Sequence, residues 1–267
     1  MSATNCPICN SPWHAVEKTC RSEPYVGKKL PVRSCTSCSF TQPVHALVDG
    51  RTAMDPSSKE PGDGAVLRSS RNANELRPGR EFHMTELGYE ILNNVGKPPT
   101  SLTYFGAGSN TDHRWISQKH PSLNIKLVDL ENYQKHDAFE PINQASPSNL
   151  VIACEVIEHF HDPMAHFESL FRIVDEEGLL ICSTNINDGS DIELHNYPFI
   201  NGHSAYWSPI SLMSAAAKFG YFVDFRTPKL CFSKKWIRKR YVLFYKSMQV
   251  QLGISAYFGQ SLYAPSE

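Results

Sequence analysis

The stretch from Leu150 to Asn185, LVIACEVIEHFHDPMAHFESLFRIVDEEGLLICSTN, constrains the fold most. SNLVIAC is apolar for the length of a strand, as a strand covered on both faces of a parallel sheet must be. Asp162-Pro163 then opens a helix, with proline at the first helical position, where its missing N–H costs nothing. Phe167, Leu170, Phe171 and Val174 give that helix one buried stripe. Glu177-Gly178 is expected to turn the chain into LLICSTN, a second buried strand. Two buried strands joined by an amphipathic helix make a crossover unit of an open α/β sheet. At its first corner stands Glu155-x-x-Glu158-His159, a set of groups that bind a metal or move a proton. Glu155, Glu158 and His159 fall at i, i+3 and i+4, so one helical turn brings them together.

The preceding residues extend the same sheet. EFHMTELGYEILNN, Glu81 to Asn94, places apolar residues at helical spacing and ends before Gly96 and Pro98. SLTYFGAGSN begins as a strand and breaks at Gly106 and Gly108, and a helix is expected from about Thr111. A strand, a glycine turn and a helix form the opening unit of a nucleotide-binding sheet, where free helix N–H groups and a close backbone meet the ligand. LNIKLVDL then ends in Asp129, placed to accept ribose hydroxyls. Further on, Ser208-Pro209 starts a helix that stops at Gly220, and YFVDF and YVLFYKS read as the last two strands. The expected class is α/β, with a Rossmann-like, doubly wound, mostly parallel sheet. Residues 81–250 form that domain and residues 251–267 a C-terminal tail.

Residues 1–45 carry a second, independent signal. Cys6-x-x-Cys9 and Cys35-x-x-Cys38 are two pairs with the spacing of a tetrahedral zinc site. The residues between them, with Tyr25, Val26, Leu30 and Val32, suit the short strands of a zinc ribbon. So small a unit needs metal to fold. Cys20 lies outside the pattern, and His14 is a weaker alternative ligand. Residues 46–80 are rich in Pro, Gly, Ser and charge, and read as a linker or a lid. Their Arg68, Arg71, Arg77 and Arg80 are either solvated or face an anionic substrate or the cofactor carboxylate.

A formal net charge of −1 gives no global attraction to nucleic acid or an anionic membrane. Lys234–Arg240 is the one local basic run, either a solvated turn or a contact for RNA or an anionic substrate. No apolar run reaches the ~20 residues of a membrane span, and no signal peptide precedes the cysteines. Eight cysteines in such a chain argue for metal and buried thiols, and a cytoplasmic location is expected.

From about Glu81 to Ser247 the chain resembles class I S-adenosylmethionine (SAM)-dependent methyltransferases of the type 11/23 kind. The resemblance lies in YFGAGSN, LVDLEN, CEVIEH, HDP, DEEGLLICSTN and GHSAYWSPISL before AAAKFGY. It covers about 60% of the chain. The family usually carries an acid before the first glycine and a third glycine, where this chain has Tyr104 and Asn110. The resemblance implies that Tyr104, Gly106, Ala107, Gly108, Asp129, Leu130 and Glu155 line the SAM site. It also implies that Glu155, His159 and His203 face the acceptor. Two metal-using branches of the family pair the E-x-x-E-H run with a later histidine, a place taken here by His203. Glu155, Glu158, His159 and His203 are then a ligand set for Mg²⁺ or another divalent metal, beside a structural Zn²⁺ on the cysteines. The expected activity is O-methylation of a small metabolite, sugar or glycan. The alternative is an RNA-facing methyltransferase, or a non-catalytic zinc-ribbon protein with a degenerate SAM site.

Overall fold

The structure is a computed structural model that describes residues 5–19, 26–44, 77–108, 111–132, 134–200, 202–228 and 238–259. Cys20, Tyr25, Arg68, Arg71, Asn110, Lys234, Lys235, most of the 46–80 segment and the last eight residues lie outside them.

Four apolar segments form the parallel centre of the sheet: β4 (Ser101–Phe105), β5 (Asn124–Asp129), β7 (Ser148–Cys154) and β8 (Val174–Asn185). Leu102, Leu150, Val151, Leu180 and Ile181 are buried there, as strands covered on both faces require. The full order is β6-β5-β4-β7-β8-β10-β9, with short β6 (Phe139–Pro141) parallel at one edge. At the other edge β10 (Lys239–Tyr245) runs antiparallel to both β8 and β9 (Phe222–Arg226). The sheet is therefore doubly wound and mostly parallel, as the sequence pattern requires.

One expected turn is absent. β8 passes straight through Glu177-Gly178 rather than starting after them. Its pairing with β7 shifts register between Ser148 and Leu150, and a Cβ on Gly178 would lie 2.9 Å from the Asn149 carbonyl oxygen. Gly178 therefore admits an irregularity within the strand, where the two backbones approach too closely for a side chain.

Helices cover both faces. On one side α1 (Arg80–Asn94), α2 (Asp112–Lys119) and α5 (Met248–Phe258) enclose a core with Met84, Leu87, Ile91, Tyr104, Ile116, Val250 and Ile254. The boundary expected at 250 thus falls inside α5, which packs on α1. On the other side lie α3 (Pro163–Arg172) and α4 (Pro209–Ala217). Asp162 caps α3 by accepting the Ala165 N–H, and Ser208 caps α4 in a reciprocal bond with Ser211.

The cysteine-bearing segment is a three-stranded antiparallel sheet, β1 (Trp13–Thr19), β2 (Lys29–Cys35) and β3 (Thr41–Pro43). It is not a separate globule. Cys6, Ile8 and Phe40 belong to the same buried cluster as Phe167, Trp207 and Phe225. Phe40 and Trp207 lie ring to ring at 4.5 Å, and both are fully buried. Thr41 and Tyr206 exchange backbone hydrogen bonds of 3.0 and 2.8 Å, and Ser208 Oγ donates to the Cys38 carbonyl at 2.5 Å. The small sheet therefore borrows the core of the large one.

Because Phe40 fills that joint, Phe40→Ala should lower unfolding free energy by about 3–5 kcal/mol. Urea denaturation followed by tryptophan fluorescence, which samples Trp207, measures it.

Candidate active site

The glycine turn leaves the carboxyl end of β4 with Gly106 and Gly108 both at positive φ, 67° and 52°. A Cβ on Gly106 would also meet Val156 Cγ2 at 2.7 Å, so glycine is required by conformation and by space. Asp129, at the end of β5, accepts the Gly108 N–H at 2.8 Å and the Leu130 N–H at 2.7 Å. Burial raises its carboxyl above the usual range, and these two bonds pull the other way. Asp129 and the glycine turn therefore form one hydrogen-bonded unit. Tyr104 differs from that expectation. Its hydroxyl lies 2.9 Å from Thr85 Oγ1, and its ring is buried in the core beneath α1. It joins α1 to β4.

Glu155 follows β7 with φ +56°, a left-handed conformation that a glutamate adopts only where its surroundings hold it there. This breaks the helical turn expected from Glu155 to His159; the short 3₁₀ turn is confined to Ile157–His159. Glu155 is not one of the residues whose ligand atoms converge with those of Glu158. Its carboxylate takes Ser183 Oγ at 2.7 Å and Lys239 Nζ, with the Arg80 guanidinium at 3.6 Å. Burial pushes this carboxyl up, but Lys239 and Arg80 more than offset it and hold it below the ordinary range.

Lys239 is 3% exposed and stands over the Tyr197 ring at 5.0 Å. It lies within the basic run Lys234–Arg240. The alternation of β10 begins at Lys239, opposite Asn185, and turns it into the site. That alternation is the signal that could have revealed it. Arg238, its neighbour, is paired with Asp188 at 2.9 Å.

Glu158, His159 and His203 do converge. They offer ligand atoms that all lie within 4.8 Å of one another, and all three are buried. His159 Nδ1 lies 2.8 Å from the Gly202 carbonyl oxygen, and His203 Nδ1 lies 2.7 Å from that of Tyr197. A carbonyl only accepts, so each Nδ1 carries the proton and each Nε2 keeps its lone pair. Burial lowers both imidazoles, His203 well below its usual value with His159 adding to the effect. Glu158 receives the Tyr197 hydroxyl on Oε1 at 2.5 Å, while its Oε2 has no partner. Burial, with Glu155 adding to it, pushes its carboxyl up to about 8. Tyr197 sits in the aperiodic 186–205 segment, where sequence pattern gave no reason to single it out.

The four cysteines also meet. Cys6, Cys9, Cys35 and Cys38 form one group, and exposed His14 is not part of it. The two C-x-x-C turns are alike. Each closes with a backbone bond, Asn10 N–H to Cys6 and Ser39 N–H to Cys35, at a residue with φ near 60°. Ser37 and Cys38 N–H groups donate to Cys35 Sγ at 3.4 Å. Paired turns with N–H groups aimed at sulfur suit thiolates around one cation.

Comparison with known proteins agrees with this geometry. A family described as "Methyltransferase domain" matches residues 85–224. The chain belongs to that family, and with it to the SAM-dependent methyltransferases. Its fold is similar to that of the plantazolicin methyltransferase BpumL in complex with a pentazolic desmethylPZN analog and SAH. That match has 13% identity and a TM-score of 0.52, and covers 75% of this chain and 95% of the other. A protein from Nostoc punctiforme PCC 73102, provisionally named an O-methyltransferase, matches with 14% identity and a TM-score of 0.52. It covers 76% of this chain and 67% of the other. No curated protein sequence matches the chain significantly. No helix among the described residues is long and apolar enough to cross a membrane.

Lys239→Met takes from the half-buried Glu155 its nearest cation and leaves it with Arg80 at 3.6 Å. The substitution should destabilise by about 3–5 kcal/mol, and adding Glu155→Gln should recover most of that loss. A double-mutant cycle of denaturation midpoints reads the coupling.

Proposed function

We propose that the protein transfers the methyl group of SAM to a hydroxyl of a small metabolite, sugar or glycan, with Glu158, His159 and His203 as the centre that receives the acceptor. The observation that supports this reading is the tautomer of the two histidines. Both spend Nδ1–H on backbone carbonyls and keep Nε2 as a lone pair beside an unpartnered carboxylate oxygen. The glycine turn with Ala107 and Leu130 would hold the nucleoside, and Asp129 its ribose. SAM brings a sulfonium, already a good leaving group, so the protein has to place the acceptor oxygen in line and remove its proton. His203, whose Nε2 keeps its lone pair because Nδ1–H is spent on the Tyr197 carbonyl, is the group assigned to take that proton, and Glu158 accepts the Tyr197 hydroxyl beside it.

Two imidazole nitrogens and one carboxylate oxygen also fit a divalent first-row metal better than Mg²⁺, which prefers an all-oxygen set. Such an ion would be held by Glu158, His159 and His203, and would lower the acceptor's pKa. Glu155, committed to Lys239 and Arg80, has no part in that set and serves instead as a strut of the site. The cysteine group is proposed as a structural Zn²⁺ site. The RNA-facing reading is the weaker one: Lys239 is buried under Tyr197, and Arg238 is tied to Asp188.

His203→Ala should reduce kcat by about 10²–10⁴-fold, with SAH affinity unchanged by calorimetry. Unchanged turnover, with unchanged response to a chelator, removes His203 from the chemistry. Elemental analysis should find about one zinc per chain, lost in Cys35→Ser, because four thiolates close a tetrahedral site. Zinc-free protein that melts at the same temperature as the zinc-loaded form contradicts a structural metal.

A further inference from the structure

Glu81 is a buried carboxyl that the site described so far leaves unexplained, and it lies against the carboxyl of Asp112. It is 6% exposed and its Oε2 has no hydrogen-bond partner. A carboxylate taken from water without a partner costs several kcal/mol. Its carboxyl is pushed up to about 7, by burial first and then by neighbouring Asp112. Arg80, the adjacent residue, pulls the other way but is directed to Glu155.

Its surroundings say where this charge stands. Glu81 lies in the first turn of α1. One turn further on, Thr85 bonds to Tyr104 in β4. Asp112, the first residue of α2, accepts the Gly79 N–H at 2.8 Å and the Phe82 N–H at 3.0 Å, so it staples the start of α1 to the helix that follows the glycine turn. Arg80 reaches Glu155, just past the end of β7. The first turn of α1 is thereby pinned over the carboxyl ends of β4 and β7, beside the glycine turn. Tyr104, where related chains carry an acid, offers no charge there.

We propose that Glu81, supported by Asp112, receives the ammonium group of the amino-acid end of SAM, supplying from α1 the negative charge that β4 lacks. This rests on the SAM site proposed above. A cation of that kind satisfies Oε2 and turns a buried liability into a charge-assisted hydrogen bond. Asp112, already bonded to two backbone N–H groups, holds the turn that aims Glu81. Arg80 stays with Glu155, so the two charges of this turn serve two different partners.

The test is calorimetric titration of the full chain with SAH and with 5′-methylthioadenosine, which has the same thioadenosine but no ammonium or carboxylate. Glu81→Gln keeps the shape and removes the charge. It should weaken SAH by about 10- to 100-fold, as expected for a hydrogen bond to a charged group, and leave 5′-methylthioadenosine within about twofold. In the absence of ligand its thermal midpoint should equal or exceed the wild-type value, because one of two adjoining buried carboxyls is replaced by a neutral amide that can donate to Asp112. Equal SAH affinity in Glu81→Gln and wild type overturns the proposal while leaving the SAM site standing. So does an equal loss for both ligands with a lowered midpoint, which makes Glu81 structural. Wild-type protein that binds neither ligand overturns the SAM site and this assignment together.

Discussion

The half-buried carboxylate of Glu155 is the constraint on which this end of the molecule depends. A charge largely withdrawn from water needs opposite charge beside it, and no single element supplies it. Lys239 comes from the antiparallel strand β10, Arg80 from the first turn of α1, and Ser183 from the end of β8. Satisfying one residue thus fixes where three distant segments end. The left-handed backbone of Glu155 is stabilised by the same set of bonds. Glu155 is not among the residues whose ligand atoms converge with those of Glu158, which meets His159 and His203 instead.

The second constraint is apolar. Phe40 inserts against Trp207, and the loop between β8 and α4 is laid along β3 through the Thr41–Tyr206 bonds. His203 lies three residues before Tyr206, and Glu158 accepts backbone N–H groups from Ser204 and Ala205 through its carbonyl. Lys18 and the Thr19 N–H reach Asp191 and Glu193 in the same loop. The cysteine-bearing sheet is therefore the wall against which the loop carrying His203 is folded.

Much of the fold could be read from the chain because its determinants are local. Apolar strands, the Asp162 and Ser208 caps and the glycine turn each act within a few residues. The reading failed where a long-range interaction overrode a local rule. Gly178 looked like a turn because glycine marks turns, but close strand pairing makes it an irregularity in β8. Glu155 looked helical by spacing, and its ion pairs twist it out of the helix. Lys239 lies within the basic run Lys234–Arg240, which suggests a solvated turn or a contact for an anion, but β10 begins at that residue and buries it. That Cys6, Cys9, Cys35 and Cys38 come together was legible from the spacing of the two pairs. Tyr197 and Glu81 had no pattern to mark them; only the burial created by distant elements gives them their character.

The C-terminal helix α5 has a consequence for how the protein can be cut. A Cβ on Gly253 would meet the Ile91 carbonyl oxygen at 2.6 Å, so α5 and α1 touch backbone to backbone at that point. α1 is thus gripped between the sheet and the last helix, while its first turn, carrying Arg80 and Glu81, is held separately by Asp112 and Glu155. Expression boundaries drawn at the end of β10 would keep every strand of the large sheet and the Glu158, His159 and His203 group, yet would remove the helix that holds α1 against the sheet.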